Sequence, residues 1–310
     1  MRPYLALAAG VLLAASAAVS QDLSFQARAR NPLDLARASE TLEVALASLP
    51  GVKAEDLPRV GVTESGRALL TQAVDTDGDY AFDQLVFQAD FAPGEEKAFT
   101  LALGERRFPR KEDFRVYGRF VRERFDDFAW ENDRVAHRMY GQALETWQNE
   151  PLTSSGVDVW VKRTPRLVIN DWYMGDDYHR DHGEGADFYS AGPSRGCGGS
   201  GIWNAGQLFV SRNFRRSRVL ANGPVRLIFE LDYEAWDAGG RSLTERKRVT
   251  LDAGAHLNRF ESTYHVYERP GPGAPNDRLA WAAGIKKPAT AQLRLEREQG
   301  WMRLWEPIRD

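Results

Sequence analysis

An all-β chain, folded as a large antiparallel β-sandwich, is what the sequence predicts, on three observations. Short runs of β-branched and aromatic residues recur between Gly, Pro, Asn and Asp punctuation, several of these runs alternate apolar with polar residues, and helical periodicity is scarce. Alternation with period two buries one face of a strand and wets the other, which stacked antiparallel sheets accommodate.

The first twenty residues stand apart. Arg2 precedes an apolar run from Leu5 to Ala18, and Ala18-Val19-Ser20 offers a small-residue cleavage site before Gln21, the pattern of a secretory signal peptide. That run is too short for a spanning helix and no later stretch is long and apolar enough, so a periplasmic or secreted protein is expected, with residues 21–310 as one domain. Pro32 to Leu49 fits an amphipathic helix by spacing and a strand by the alternation of Leu42, Val44 and Leu46. Asp83–Phe91, Pro93-Gly94 and Lys97–Leu103 together have a hairpin signature. Further strands are expected at Val157–Val161, Arg166–Ile169, Gln207–Val210, Val225–Tyr233 and Leu257–Tyr267, and Pro270–Pro275 reads as a loop within the fold.

Charge and cysteine usage exclude several classes. The chain holds 41 basic and 44 acidic residues, a net charge of -3, with no basic tract to attract nucleic acid. Its single cysteine, Cys197, cannot form an internal disulfide, and nothing in the sequence supplies the base a nucleophilic thiol needs. There is no Gly-x-Ser-x-Gly elbow, phosphate-binding loop or dinucleotide fingerprint.

The chemistry-bearing types concentrate between Asp126 and Asp187, which holds three of the five histidines. If Glu131–Gly141 is one strand, Glu131, Asp133, Val135, His137 and Met139 share one face, and Asn132, Arg134, Ala136, Arg138 and Tyr140 the other. A polar strand of this kind suits a cleft in which His137 transfers protons and Arg134 or Arg138 grips a carboxylate. Trp130, Tyr140, Trp160, Trp172, Tyr173 and Trp203 are candidates for stacking on sugar faces, although aromatics are equally core residues. His179 and His182, three apart in a Gly-rich segment with Asp181 and Glu184, form a candidate metal set that His137 would complete, for one divalent cation, zinc or calcium. The alternative is an acid or base role for these histidines beside the substrate. Glycines 183, 185, 196, 198, 199 and 201 are expected where backbone approaches a ligand or takes positive φ. Asp75-Thr-Asp-Gly-Asp79 with Asp83 resembles a short calcium loop, whose ion would be structural, but lacks the full spacing and terminal Glu of the helix-loop-helix motif and reads first as a plain hairpin turn before the Asp83 strand.

The Asn31-Pro-Leu segment, Asp75–Asp79, Trp130–Asp133, His137–Gly141, Tyr178–Gly185 and Asn222–Arg226 together resemble an uncharacterised bacterial family, number 4861 among the domains of unknown function. The resemblance covers nearly all of the chain after the signal peptide. It implies a secreted protein associated with polysaccharide degradation and, by fold-level analogy, a sandwich similar to those of galactose mutarotases and polysaccharide lyases.

The leading functional expectation is a lyase that cleaves a uronate-containing saccharide by β-elimination. His137 and His179 are the acid-base candidates, Tyr140 the proton donor, and Arg134, Arg138 and Arg195 the carboxylate clamps, with a bound cation sharing that role. A glycoside hydrolase would instead pair Glu131 with Glu184 or Asp181. A mutarotase or epimerase needs proton transfer without cleavage, and a carbohydrate-binding module needs only the aromatic platform.

Overall fold

A computed structural model describes residues 23–175, 177–267 and 279–307, so the signal-peptide reading and the Pro270–Pro275 loop lie outside the described residues. The chain is all-β, with several antiparallel sheets and a single short α-helix among the described residues. It divides into two compact units of interleaved segments. The first takes the described residues up to Tyr117 with Val219–Ile228 and Thr250–Asn258, and the second takes Gly118–Arg218, Phe229–Val249 and the described residues from Arg259 onward.

In the first unit, strands β1 (Ser24–Arg30), β2 (Arg37–Ala45), β3 (Val60–Glu64), β4 (Arg67–Leu69), β5 (Thr71–Val74), β6 (Gln84–Phe91) and β7 (Glu96–Leu103) form two sheets, ordered β1-β7-β3-β4 and β2-β6-β5. Alternation is plain in β1, which buries Phe25, Ala27 and Ala29 and exposes the residues between them. Both sheets contribute to one apolar core, where Phe87 of β6 meets Phe99 of β7 edge to face with centroids 5.1 Å apart. The expected hairpin is therefore not one. β6 pairs with β2 and β5, β7 pairs with β1 and β3, and Pro93-Gly94 carries the chain from one sheet to the other. Both strands bury aromatic side chains, and packing face to face hides more of that surface than pairing edge to edge. The ambiguous Pro32–Leu49 stretch resolves as β2 followed by one turn of 3₁₀ helix, because Leu42 and Val44 both face the core.

The second unit is reached through β8 (Val116–Val121) and continues with β9 (Asp127–Asn132), β10 (Val135–Met139), β11 (Asp158–Lys162), α1 (Ile169–Gly175) and β12 (Gly185–Ala186). Its five-stranded sheet runs β12-β11-β10-β9-β8. The later strands are β13 (Cys197–Asn204), β14 (Gln207–Phe209), β15 (Arg216–Asn222), β16 (Arg226–Asp237), β17 (Ser242–Asp252), β18 (Arg259–Val266), β19 (Ala280–Ile285), β20 (Gln292–Glu296) and β21 (Trp301–Trp305). They form sheets β14-β13-β19, β15-β16-β17-β18 and β20-β21.

Two expected strands are corrected here. Glu131–Gly141 is interrupted, because the Asn132 side-chain oxygen accepts the Arg134 and Val135 N–H groups at 2.8 and 2.9 Å, turning the chain between β9 and β10. Arg166–Ile169 is not a strand. The Glu131 carboxylate accepts the N–H groups of Val168 and Ile169 at 2.9 and 2.8 Å, and α1 starts there. Gly185 explains the close passage of β12 along β11: its φ is +106°, and a Cβ would lie 2.0 Å from the Val161 carbonyl oxygen. Gly196, at φ +57°, meets the Val157 carbonyl in the same way. At these two expected glycines the close neighbour is the protein's own backbone.

Candidate active site

The site is assembled by strand register. Arg138 of β10 sits directly opposite Asp158 of β11, so both side chains share one face of the five-stranded sheet. Asp127 opens β9 on the neighbouring side, and Asp187 follows β12. Arg138 is 5% exposed and spends four of its five N–H donors inside the cluster. Its Nε and Nη2 donate to Asp158 Oδ2 at 3.0 and 2.6 Å, Nη2 also donates to Asp187 Oδ2 at 3.1 Å, and Nη1 donates to the Tyr178 hydroxyl at 3.2 Å. Asp127 lies 3.8 Å from Nη1. Rings of Tyr140, Trp160 and Tyr178 surround the guanidinium at 5.3 to 5.6 Å.

Three buried carboxylates around one arginine cannot all ionise freely. Burial pushes Asp127 up to about 7 against the pull of Arg138 and Arg124, and burial together with the charge of Asp158 pushes Asp187 up to about 8. Asp158 is raised by burial as well. The cluster therefore holds protons into the neutral range. Burial also lifts the Tyr140 phenol well above its ordinary value, so it stays protonated.

One wall of this cluster opens on a cavity of about 430 Å³, lined by Arg124, Arg138, Tyr140, His179, Asp187 and the 188–193 segment among others. His179 is an exposed titratable group there, with 65% of its side chain accessible. Its Nδ1 lies 3.4 Å from the buried Asp187 Oδ2 and 3.3 Å from the Asp187 carbonyl oxygen. Nδ1 bonded to that carbonyl, with the carboxylate beside it, leaves Nε2 for chemistry.

Of the four residues expected to be catalytic, His179, Tyr140 and Arg138 line this cavity and His137 does not. His137 follows the opposite face of β10, where its ring stacks on Trp130 at 5.2 Å, and burial lowers its pKa to about 4. It is a neutral core residue. Arg138 is a positioning residue, because four of its five donors are already committed to Asp158, Asp187 and Tyr178.

The expected binding residues are placed elsewhere. Trp130 and Trp160 are fully buried; Trp160 stacks with Trp172 and Tyr178 and packs on Tyr173 at 5.2 to 5.7 Å. Arg134 is at the exposed β9–β10 turn, and Trp203 is 49% exposed on β13. Arg195 is buried and donates to the Ser155 hydroxyl and the Ser200 carbonyl at 3.0 and 3.1 Å. Glu131 is buried, paired with Lys162 at 2.6 Å besides starting α1, and Glu184 is paired with Arg166 at 2.6 Å. Asp181 contacts Arg163 and accepts the Gly183 and Gly185 N–H groups at 2.7 and 3.1 Å. None of Glu131, Glu184 and Asp181 lines this cavity; Glu184 lines a separate one of about 250 Å³ with Trp172 and His182.

The histidine metal set is corrected too. His182 Nε2 pairs with Asp177 at 2.8 Å, and His137, His179 and His182 do not converge on one ion. Among the described residues, the carboxylates that do converge are Asp75, Asp77 and Asp83, in the first unit, with ligand atoms all within 4.8 Å of one another, a set suited to a divalent cation. Asp75 also accepts the Gly78 and Tyr80 N–H groups, and Asp83 accepts the Thr76 hydroxyl at 2.6 Å.

A second cavity of about 290 Å³, lined by Ser200, Ser262, Tyr264 and Trp281 among others, holds no such dyad. Lys247 Nζ is 2.7 Å from Ser200 Oγ but also 3.1 Å from Glu245, and an ammonium paired with a carboxylate has no lone pair to take a serine proton. Burial raises the Cys197 thiol, opposite to what a nucleophile requires.

With this geometry in place, comparison with known proteins gives a family. A family model described as a domain of unknown function, DUF4861, matches residues 29–309. The chain belongs to that family. It is also 35% identical over 290 residues to uncharacterized protein P7 of Formosa agariphila, covering 89% of this chain and 70% of the relative. The resemblance read from Trp130–Asp133, His137–Gly141 and Tyr178–Gly185 is thereby borne out, and the cavity places His179, Tyr140 and Arg138 from two of those runs at one site.

Proposed function

We propose that this chain is an exported carbohydrate-active enzyme that cleaves a uronate-containing oligo- or polysaccharide by β-elimination in the His179 cavity. The observation that carries the reading is the imidazole of His179 at the wall of a sugar-sized cavity, its Nδ1 on the Asp187 carbonyl and 3.4 Å from the buried Asp187 carboxyl, with a protonated tyrosine bordering the same space. In this reading neutral His179 Nε2 removes the C5 proton. The C–H electron pair becomes the C4–C5 double bond, the C4–O bond breaks, and its electrons leave on the glycosidic oxygen, which takes the Tyr140 proton. The proton on His179 returns to Tyr140 through solvent, so the cycle closes without a further reagent.

A sandwich of the mutarotase or lyase kind belongs to the same proposal, supported by the two sheets that share one core in the first unit. The Asp75, Asp77 and Asp83 set, all oxygen, suits hard calcium better than zinc, and its ion would be structural. The test is incubation with a panel of uronate polysaccharides while following ultraviolet absorbance and reducing ends together. Elimination raises both, hydrolysis raises reducing ends alone, and an epimerase or a binding module raises neither.

A further inference from the structure

Elimination next to a carboxylate needs a cation to neutralise it, and the arginines suggested by the sequence do not serve. Arg138 is spent on two aspartates and Tyr178, Arg195 on Ser155 and Ser200, and Arg134 is on an exposed turn. The other arginine lining the cavity is Arg124, in the turn between β8 and β9. Its Nε donates to the Tyr178 hydroxyl at 2.6 Å, and its guanidinium lies 5.0 and 5.1 Å from the rings of Phe125 and Trp147, which stack on each other at 4.3 Å. Its Nη1 is buried with no hydrogen-bond partner among the described residues. A buried unpaired donor is costly, and an acceptor that reaches it recovers that cost. Close by, Asp187 Oδ1 is buried without a side-chain partner, an acceptor suited to a hydroxyl.

We infer that Arg124 recognises the anionic group of the substrate, a carboxylate carried on a hydroxylated ring. This rests on the function proposed above and names the residue that sets its selectivity. The planar fork, held by two aromatic rings and a tyrosine hydroxyl, is pre-oriented for a planar carboxylate. Asp187 and Glu150 border the same cavity and would oppose an anion, and the opposition is reduced where Asp187 keeps its proton, up to about pH 8.

The test measures affinity by calorimetry for glucuronate, galacturonate and mannuronate oligosaccharides, for their carboxyl-reduced neutral counterparts, and for a sulfated neutral oligosaccharide, in wild type, Arg124→Gln and Arg124→Lys. Wild type should prefer the uronates, and R124Q should lose ~10–100-fold of uronate affinity, the scale of a charged hydrogen bond, while neutral sugars are unchanged. R124K, which keeps the charge without the fork, should fall between them, and reads the effect should R124Q fail to fold. A wild-type preference for uronates that survives in both variants overturns the role of Arg124 and leaves the proposed function standing. Sulfated sugar bound as tightly as uronate overturns the carboxylate assignment. Failure of wild type to prefer any uronate overturns the acidic-sugar reading itself.

Discussion

The Asp187 carboxyl lies between two basic side chains, His179 and Arg138, and its charge sets what each can do. Ionised, it stabilises the imidazolium that forms when Nε2 of His179 takes a proton; protonated, it does not. Because burial holds it up at about 8, kcat should rise with pH through the neutral range and level off above about 8, while uronate affinity falls as the same carboxyl ionises. Asp187→Asn should lose that rise together with at least ~10²-fold of turnover, as should His179→Asn, and a pH–rate profile of the three proteins checks it. His137 makes the opposite kind of prediction, one of stability. Its folded pKa is about 4 against an ordinary 6.5, so the unfolded chain takes the proton first as pH falls. Its contribution is complete above about 6.5 and is lost towards pH 4, up to about 3 kcal/mol. His137→Phe, which keeps a ring against Trp130 but cannot titrate, should flatten that part of a denaturation-versus-pH curve while leaving activity. The sequence already separated these residues: alternation along the strand put Arg138 and Tyr140 on one face and His137 on the other. What it did not show was Asp127, Asp158 and Asp187, because a carboxylate 11, 20 or 49 residues from Arg138 becomes its partner only through strand register. Arg124 was missed for a related reason, being recognisable only by the donor it leaves unpaired.

At the scale of elements, local pattern was legible and pairing was not. The alternation in the runs at 157–161, 207–210, 225–233 and 257–267 appears as strands or as the greater part of them. The β6–β7 hairpin failed because sequence shows that a turn exists but not which sheet receives the next strand. Arg166–Ile169 failed because the residue that starts α1, Glu131, lies nearly forty residues upstream. The stacked Trp160, Trp172, Tyr173 and Tyr178 are packing for the sheet and α1 more than a platform for ligand, the usual fate of large apolar rings. The turn before β6 carries a prediction of its own. If its three carboxylates hold calcium, ion at ~100 times its dissociation constant stabilises by about 2.7 kcal/mol, worth several degrees in melting temperature. Calcium should raise the thermal midpoint of chelator-treated protein, and Asp77→Asn should abolish the increase; identical midpoints with and without calcium would leave the loop a plain turn.

At the scale of the whole molecule, unrelated chemistries share all-β folds, so the functional reading rests on the cavity in the second unit. Three of the four expected catalytic residues border it, and the carboxylates of the hydrolase alternative are tied into ion pairs outside it. The most direct measurement is the time course of ultraviolet absorbance and reducing ends when wild type and His179→Asn act on the uronate polysaccharide panel. One substrate should give both signals in equal molar yield with wild type, and at least ~10²-fold more slowly with the variant. New reducing ends without absorbance, or elimination that proceeds undiminished in His179→Asn, would contradict this mechanism.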